Sequence, residues 1–444
     1  MRFTPWATRL VLTLSLTATA FLTACGSGGS GGSDTQVRLL NATRSYPALD
    51  LTVNDKTINS KVAYATVGDY GGVDTNNTAT KVLTSDVGTS VAATTPTLAG
   101  GSNYTYITYG FAGAIRTTLL QEAEVLPDAN KAKLLVLNLA PDAGAMDIYV
   151  TSSADCSLTT ETALTTNLQG GAGSGYIQIN SGTFRVCVTG YNSRTDLRLN
   201  IPAITLDSAT VNSLILTATD GGVLVNGITL VQKGAVKNFP NTQSRVRTVA
   251  ALTNGSTVTS SVNGQAMFGS AAISPLISPY VTVNSSATTS TSLNVNVNGL
   301  GISFTPPTLI AGGDYTLMVW GDASAPKMSV LSDDNRLPTV SGNVKIRLVN
   351  ALPTLSSSLN VDFSALAANV APGVASTPAS ISSTTSSQVD VTVPTSAASI
   401  YTNATLAFPA NSVWTFFAVP TANSVVTTNS PVPGMTALPK RERP

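Results

Sequence analysis

Of 444 residues only 11% are Asp, Glu, Lys or Arg, and histidine is absent, where a typical soluble domain carries about 25% charged residues. Without histidine, Ser-His-Asp and Cys-His catalysis in their usual forms are excluded, and the commonest transition-metal ligand is missing. A formal net charge of +1 provides no field for steering nucleic acid, so no nucleic-acid partner is expected.

At the N-terminus, Arg2 and Arg9 lead into an apolar and small-residue run from Leu10 to Leu22, which ends at Thr23, Ala24 and Cys25. This is a secretory signal layout. The run is 13 residues long, whereas a helix needs about 20 to cross the hydrocarbon core, so a permanent span is not expected. The following Gly26–Ser33 stretch is glycine and serine only and reads as a flexible tether.

Leu22-Thr23-Ala24-Cys25 resembles the lipobox of bacterial lipoproteins. The resemblance implies cleavage before Cys25, acylation of its sulfur and new amine, and membrane lipid as a partner. Several acyl chains, at about 0.8 kcal/mol per buried methylene, would hold the protein on a membrane. It also implies a cell-envelope location, with Gly26 in place of an inner-membrane retention Asp favouring the outer membrane of a two-membrane host. The same residues also suit an ordinary signal peptide cut near Ala24, leaving a free thiol.

Removing residues 1–24, which hold two of the 24 basic residues and none of the 23 acidic ones, leaves 22 basic against 23 acidic. Thr, Val, Ser, Gly and Asn recur throughout the body, which predicts strands and turns in preference to long helices. Cys156 and Cys187 are expected to pair in the oxidising compartment that a signal implies; two free thiols are the alternative. In Phe184–Thr189, Cys187 shares a face with Arg185 and Thr189, which predicts a staple on an outer face or sheet edge.

Four segments open alike. Val37-Arg38-Leu39-Leu40-Asn41-Ala42 recurs from Leu134, from Val246 and from Ile346. Period-two alternation puts Arg38, Arg247 and Arg347 on one strand face, opposite Val37, Val246 and Ile346, as in a half-buried strand. After the first three openings, short strands run into turns at Asn54-Asp55, Thr151-Ser152 and Asn263-Gly264, the last a strong hairpin signal. The segments also close alike, in Ala99–Gly110, Ala311–Gly321 and Pro409–Val419, with a weaker copy in Val211–Gly221. Internal similarity at this spacing predicts tandem units: 37–130, 131–242, 243–342 and 343–430, preceded by a signal peptide at 1–24 and a tether at 25–36. Residues 431–444, ending in Lys440-Arg441-Glu442-Arg443-Pro444, are expected to form a disordered tail.

Through Asn41, Ala42, Asp50 and Tyr104-Thr105 in the first segment, and Asn138, Pro141-Asp142 and Asp147 in the second, the chain resembles the domain of unknown function 4397 family of exported bacterial proteins. The third segment has Ala250 in place of the Asn, and in the fourth Asn360 and Asp362 straddle the Asp position. The resemblance implies tandem exported β-sandwich units and carries no activity with it. The expected fold is all-β, with tandem immunoglobulin-like sandwiches following the tether.

Chemistry is sparse. No phosphate-cradling glycine loop leads into a helix, so no cofactor is expected. Asp142 with Asp147, and Asp333 with Asp334, are the carboxylate pairs to weigh for glycoside hydrolysis, although a recurring Asp near a strand start commonly holds a turn. Ser332–Asn335 offers oxygen ligands without the spaced loop of a dedicated calcium site, so no metal is expected. Tyr109 and Trp320, at strand ends beside glycines, are the candidates for stacking a ligand. The expectation is a non-catalytic module binding a glycan or envelope protein, with a carboxylate-based glycosidase as the competing class.

Overall fold

The computed structural model describes residues 35–285, 290–421 and 429–443. The signal segment, the tether and Cys25 lie outside the described residues. Eight sheets are present among them, in four pairs, each pair drawn from one continuous stretch: Gln36–Gln121, Lys131–Phe239, Gln243–Asp333 and Asn343–Arg443. We call these units 1 to 4.

Unit 1 shows the plan. One sheet runs Gly71–Gly72, Gln36–Asn41, Asn103–Tyr109, Arg116–Gln121, and the other runs Lys56–Ala63, Ala48–Val53, Thr80–Thr84, Ser90–Thr94. The opening and closing motifs are direct neighbours. Gln36–Asn41 pairs in parallel with Asn103–Tyr109, as do the equivalent strands of units 2, 3 and 4. The hairpins turn at Asn54-Asp55 and Asn263-Gly264 with positive φ at both positions, a conformation that Asn, Asp and Gly tolerate. After Met146–Thr151, by contrast, the chain runs through a loop before its next strand at Thr165.

Each unit fills its interior with one face of these strands. Val37, Leu39, Leu49, Leu51, Val82 and Tyr106 form part of the first core; Ile346, Leu348, Val389, Phe408 and Phe416 anchor the fourth. Asn41, Asn138 and Asn350 tie the opening strand to the chain crossing its end. Asn138 donates to Gly144 O and Leu168 O while accepting from Ala140 N, and Asn350 repeats this with Leu355 O, Val370 O and Leu352 N.

The opposite faces pack unit against unit. Leu40, Ala42, Ile107 and Tyr109 of unit 1 meet Leu139, Ile215, Ile228 and Leu230 of unit 2. Val249, Ala251, Met318 and Trp320 of unit 3 meet Val349, Ala351, Phe417 and Val419 of unit 4. The Arg-bearing face, expected from alternation to be the wet face of a half-buried strand, is therefore buried. Arg38, Arg247 and Arg347 are all buried.

The C-terminal residues overturn a second expectation. Met435–Arg443 is a strand paired antiparallel with Ser412–Pro420, so the described part of the expected disordered tail, residues 431–443, is ordered. Glu442 and Arg443 find buried partners, while Lys440 and Arg441 stay exposed. In unit 2 a disulfide joins Cys156 to Cys187, with Cα atoms 5.8 Å apart. Cys187 lies on an interior strand of its sheet, facing away from the core side of Val186 and Val188 and packing with Tyr149 and Leu158. The bond pins the loop after Thr151 over the outer face.

Candidate functional site: buried charges and a cleft between units

The same three-part arrangement occurs three times. The arginine of the opening motif donates through Nε to a threonine on the parallel closing strand: Arg38 to Thr105 (2.9 Å), Arg247 to Thr316 (2.8 Å), Arg347 to Thr415 (3.1 Å). The strand after the closing one then supplies an acid, two residues beyond the threonine's cross-strand partner: Glu122, Asp333 and Glu442. Two residues along a strand returns to the same face, which is why the acid meets the arginine. Unit 2 has the equivalent positions without charge, Leu135 opposite Ser213 and Gln232 as the third member.

In unit 1 the pair closes on itself, with Arg38 Nη2 donating to both Glu122 oxygens at 3.0 and 3.1 Å. Arg38 Nη1 also donates to Gly234 O of unit 2, and Glu122 accepts from Lys233 N. In units 3 and 4 the acids cross over. Arg247 of unit 3 makes a bidentate bond to Glu442 of unit 4, at 2.7 Å on each oxygen. Arg347 of unit 4 donates to Asp333 of unit 3 at 2.5 Å. Asp333 also lies 3.9 Å from Arg247 and accepts from Tyr280 and Thr316. Burial alone would raise the Asp333 proton affinity, but Arg347 and Arg247 outweigh it and hold the carboxyl below its ordinary range.

Two further acids, Asp147 and Asp50, also serve the architecture. Asp147 accepts from Asn167 N and Asn192 N at 2.8 and 3.1 Å; Asp50 accepts from Lys61 N and Ser85 Oγ. Asp142 and Asp147 therefore face different tasks, and Asp333 and Asp334 likewise point to different partners. Among the described residues, no group of three or more His, Cys, Asp or Glu side chains is placed to hold a metal ion.

Tyr109 and Trp320 are correctly located at strand ends but are 6% and 7% exposed. Their rings fill the unit 1–unit 2 and unit 3–unit 4 interfaces, and Trp320 Nε1 donates to Ser329 Oγ at 3.0 Å. The expectation that they stack a ligand fails because another unit covers the face they occupy.

A cleft of about 400 Å³ opens where unit 1, unit 2, the segment joining units 3 and 4, and unit 4 converge. Its charged lining is Arg116, Asp142, Asp334, Arg336 and Lys345. The joining segment is strapped across it: Leu337 N donates to Asp142 Oδ1 at 2.9 Å, and the Arg336 guanidinium lies 4.6 Å above the Phe111 ring. Asp334 accepts from Arg336 at 2.7 and 3.0 Å and meets Lys345 Nζ at 3.1 Å. Burial raises the Asp142 proton affinity despite the Leu337 amide and the neighbouring Arg443, Lys345 and Arg336. Asp334 is held low, its burial outweighed by the Arg336 bond and the Lys345 charge. Behind Asp142, Arg443 donates to Gly222 O and to Asp142 O, fixing unit 4 to unit 2. The sequence carries no sign of this cleft, since its walls run from Gly110 to Asn411 and only the packing of units unites them.

A family model, described as a domain of unknown function, DUF4397, matches residues 35–149 and 244–357, together more than half of the chain. The chain belongs to the DUF4397 family. Each DUF4397 match begins at an opening strand of unit 1 or unit 3 and runs into the first strands of the next unit. No curated protein matches in sequence. Among solved structures, a candidate cell adhesion protein from Bacteroides uniformis is similar at 11% identity and a TM-score of 0.20, over 46% of this chain and 97% of that one. A candidate cell adhesion protein from Parabacteroides distasonis is similar at 12% identity and a TM-score of 0.18, over 71% of this chain and 99% of that one.

Proposed function

We propose that this is an exported, lipid-anchored protein of the bacterial cell envelope, held by acylated Cys25, whose sandwich units form a non-catalytic body for binding, adhesion or structure. The observation that carries the non-catalytic reading is the commitment of carboxylates to architecture: Glu122, Asp333 and Glu442 neutralise buried arginines, and Asp50 and Asp147 hold turns. Asp147 accepts one backbone amide on each of its oxygens, which ties it to the turns of its own unit. Loops at the sandwich ends remain to meet a glycan or an envelope protein.

A glycan array and an envelope pull-down, run beside a glycoside hydrolysis assay, test this; binding without turnover is the expected result. Cys25→Ser should release the protein from membranes, and a variant that stays bound would overturn the anchor.

The hydrolase reading draws on one observation. Asp142 and Asp334 line the same cleft, with proton affinities pushed in opposite directions, the pattern expected of an acid and a base. Turnover abolished by either Asp142→Asn or Asp334→Asn would establish it.

A further inference from the structure

We propose that the cleft between units 1, 2 and 4 is a binding site for a carboxylate-bearing saccharide, with Arg116 taking the carboxylate. This rests on the binding reading above and names its ligand class. Three observations converge on it.

The first is charge. Three cations, Arg116, Arg336 and Lys345, line the cleft against two carboxylates, Asp142 and Asp334, in a chain whose bases and acids otherwise balance. Arg336 and Lys345 are both satisfied by Asp334. Arg116, exposed at the rim, makes no salt bridge or side-chain hydrogen bond among the described residues. Its planar fork suits a carboxylate bidentately.

The second is the set of polar groups left open on the wall. Asp142 Oδ1 is already taken by Leu337 N, and both Asp334 oxygens by Arg336. Asn411 Oδ1 is occupied by Gly342 N, which leaves its amide donors. The Thr339 and Ser341 hydroxyls line the wall without a hydrogen bond among the described residues. The open Asn411 amide donors and the two hydroxyls, beside Arg116, suit a ligand that carries both hydroxyl groups and a carboxylate.

The third is that the site is built and fixed. The Leu337 amide, the Arg336 stack on Phe111 and the Lys345–Asp334 pair hold the walls in place before any ligand arrives, which lowers the cost of binding. The volume, about 400 Å³, falls in the range of small-molecule sites and holds a short saccharide. A ring hydroxyl pattern would meet Thr339, Ser341 and Asn411 while the carboxylate meets Arg116.

The test uses the full chain in detergent, first on an array of uronate-bearing, sialate-bearing and neutral glycans, then by calorimetry with oligogalacturonate and its methyl ester. The ester has the same sugar framework with the carboxylate masked. Binding of the acid form, weakening with added salt, at least about tenfold loss on esterification and a similar loss in Arg116→Gln are expected, one charge-assisted bidentate bond being worth about that factor. Arg116 is exposed, so an unchanged melting curve certifies that the variant folds. Equal binding of acid and ester, full affinity in Arg116→Gln, or inorganic phosphate binding as tightly as the oligosaccharide would each overturn the proposal. If wild-type binds glycans yet Arg116→Gln is unaffected, the cleft is wrong and the binding reading stands. If no glycan binds, the cleft is again wrong, and the envelope pull-down decides the broader reading.

Discussion

Glu442→Gln tests the crossed acids of units 3 and 4 directly. Arg247 is fully buried, and Glu442 supplies both of its 2.7 Å bonds. Removing one partner of a buried pair costs about 3–5 kcal/mol. Here Asp333 remains 3.9 Å from Arg247 and Gln keeps one acceptor, so the expected loss is about 2–4 kcal/mol. For two units of this size that corresponds to a drop of about 4–16 °C in their thermal transition. Two of the chain's three tryptophans, Trp320 and Trp414, lie in units 3 and 4, so tryptophan fluorescence in urea follows this half of the molecule. A solvated tail would show less than about 0.5 kcal/mol, and a change that small would refute the clasp. Replacing the pair together, Arg247→Met with Glu442→Leu, should cost less than Glu442→Gln alone, because it leaves no unpaired buried charge; a double variant worse than the single would count equally against the argument.

Acid should weaken the same interface. The folded Asp333 is held below the ordinary aspartate range by Arg347 and Arg247; its contribution is complete above that range and is lost as pH falls through the folded value, so the wild-type loses stability on acidification and Asp333→Asn flattens that part of the urea-midpoint profile. Reducing the Cys156–Cys187 bond, which closes a separation of 31 residues, should destabilise unit 2 by about 3–4 kcal/mol on the chain-entropy model, read as protease cleavage in the loop after Thr151. Asn138→Ala removes three buried hydrogen-bond partnerships and should cost about 2–4 kcal/mol by calorimetry; a loss under about 0.5 kcal/mol would show the strand end to be held by other means.

The strand alternation, the hairpins and the fourfold similarity were legible in the sequence because each depends on neighbours in the chain. What alternation could not say was whether the second face met water. The clue lay in the residues sharing the arginine's face: Leu40 and Ala42, Val249 and Ala251, Val349 and Ala351 are apolar. A strand apolar on both faces is covered on both. Arg38, Arg247 and Arg347 drew attention away from that pattern. Met435–Arg443 misled for a related reason, since a short run of Lys, Arg and Glu reads as solvated until the partners of Glu442 and Arg443 are known. Tyr109 and Trp320 were found as distinctive aromatics, but interface and ligand platform demand the same residue types. Arg116, Thr339, Ser341 and Asn411 carry no local signature, and only tertiary placement brings them together.

The crossed acids also bear on how such a molecule can be divided. Unit 1 contains the acid for its own buried arginine and unit 2 has no equivalent arginine, so that seam parts without stranding a buried arginine. Units 3 and 4 each hold the other's counterion, and a cut between them leaves Arg247 without Glu442 and Arg347 without Asp333. Gene duplication or shuffling would therefore propagate units 3 and 4 as an inseparable couple, and a relative with a solitary sandwich should have lost the arginine or acquired an acid that reaches it from its own strands.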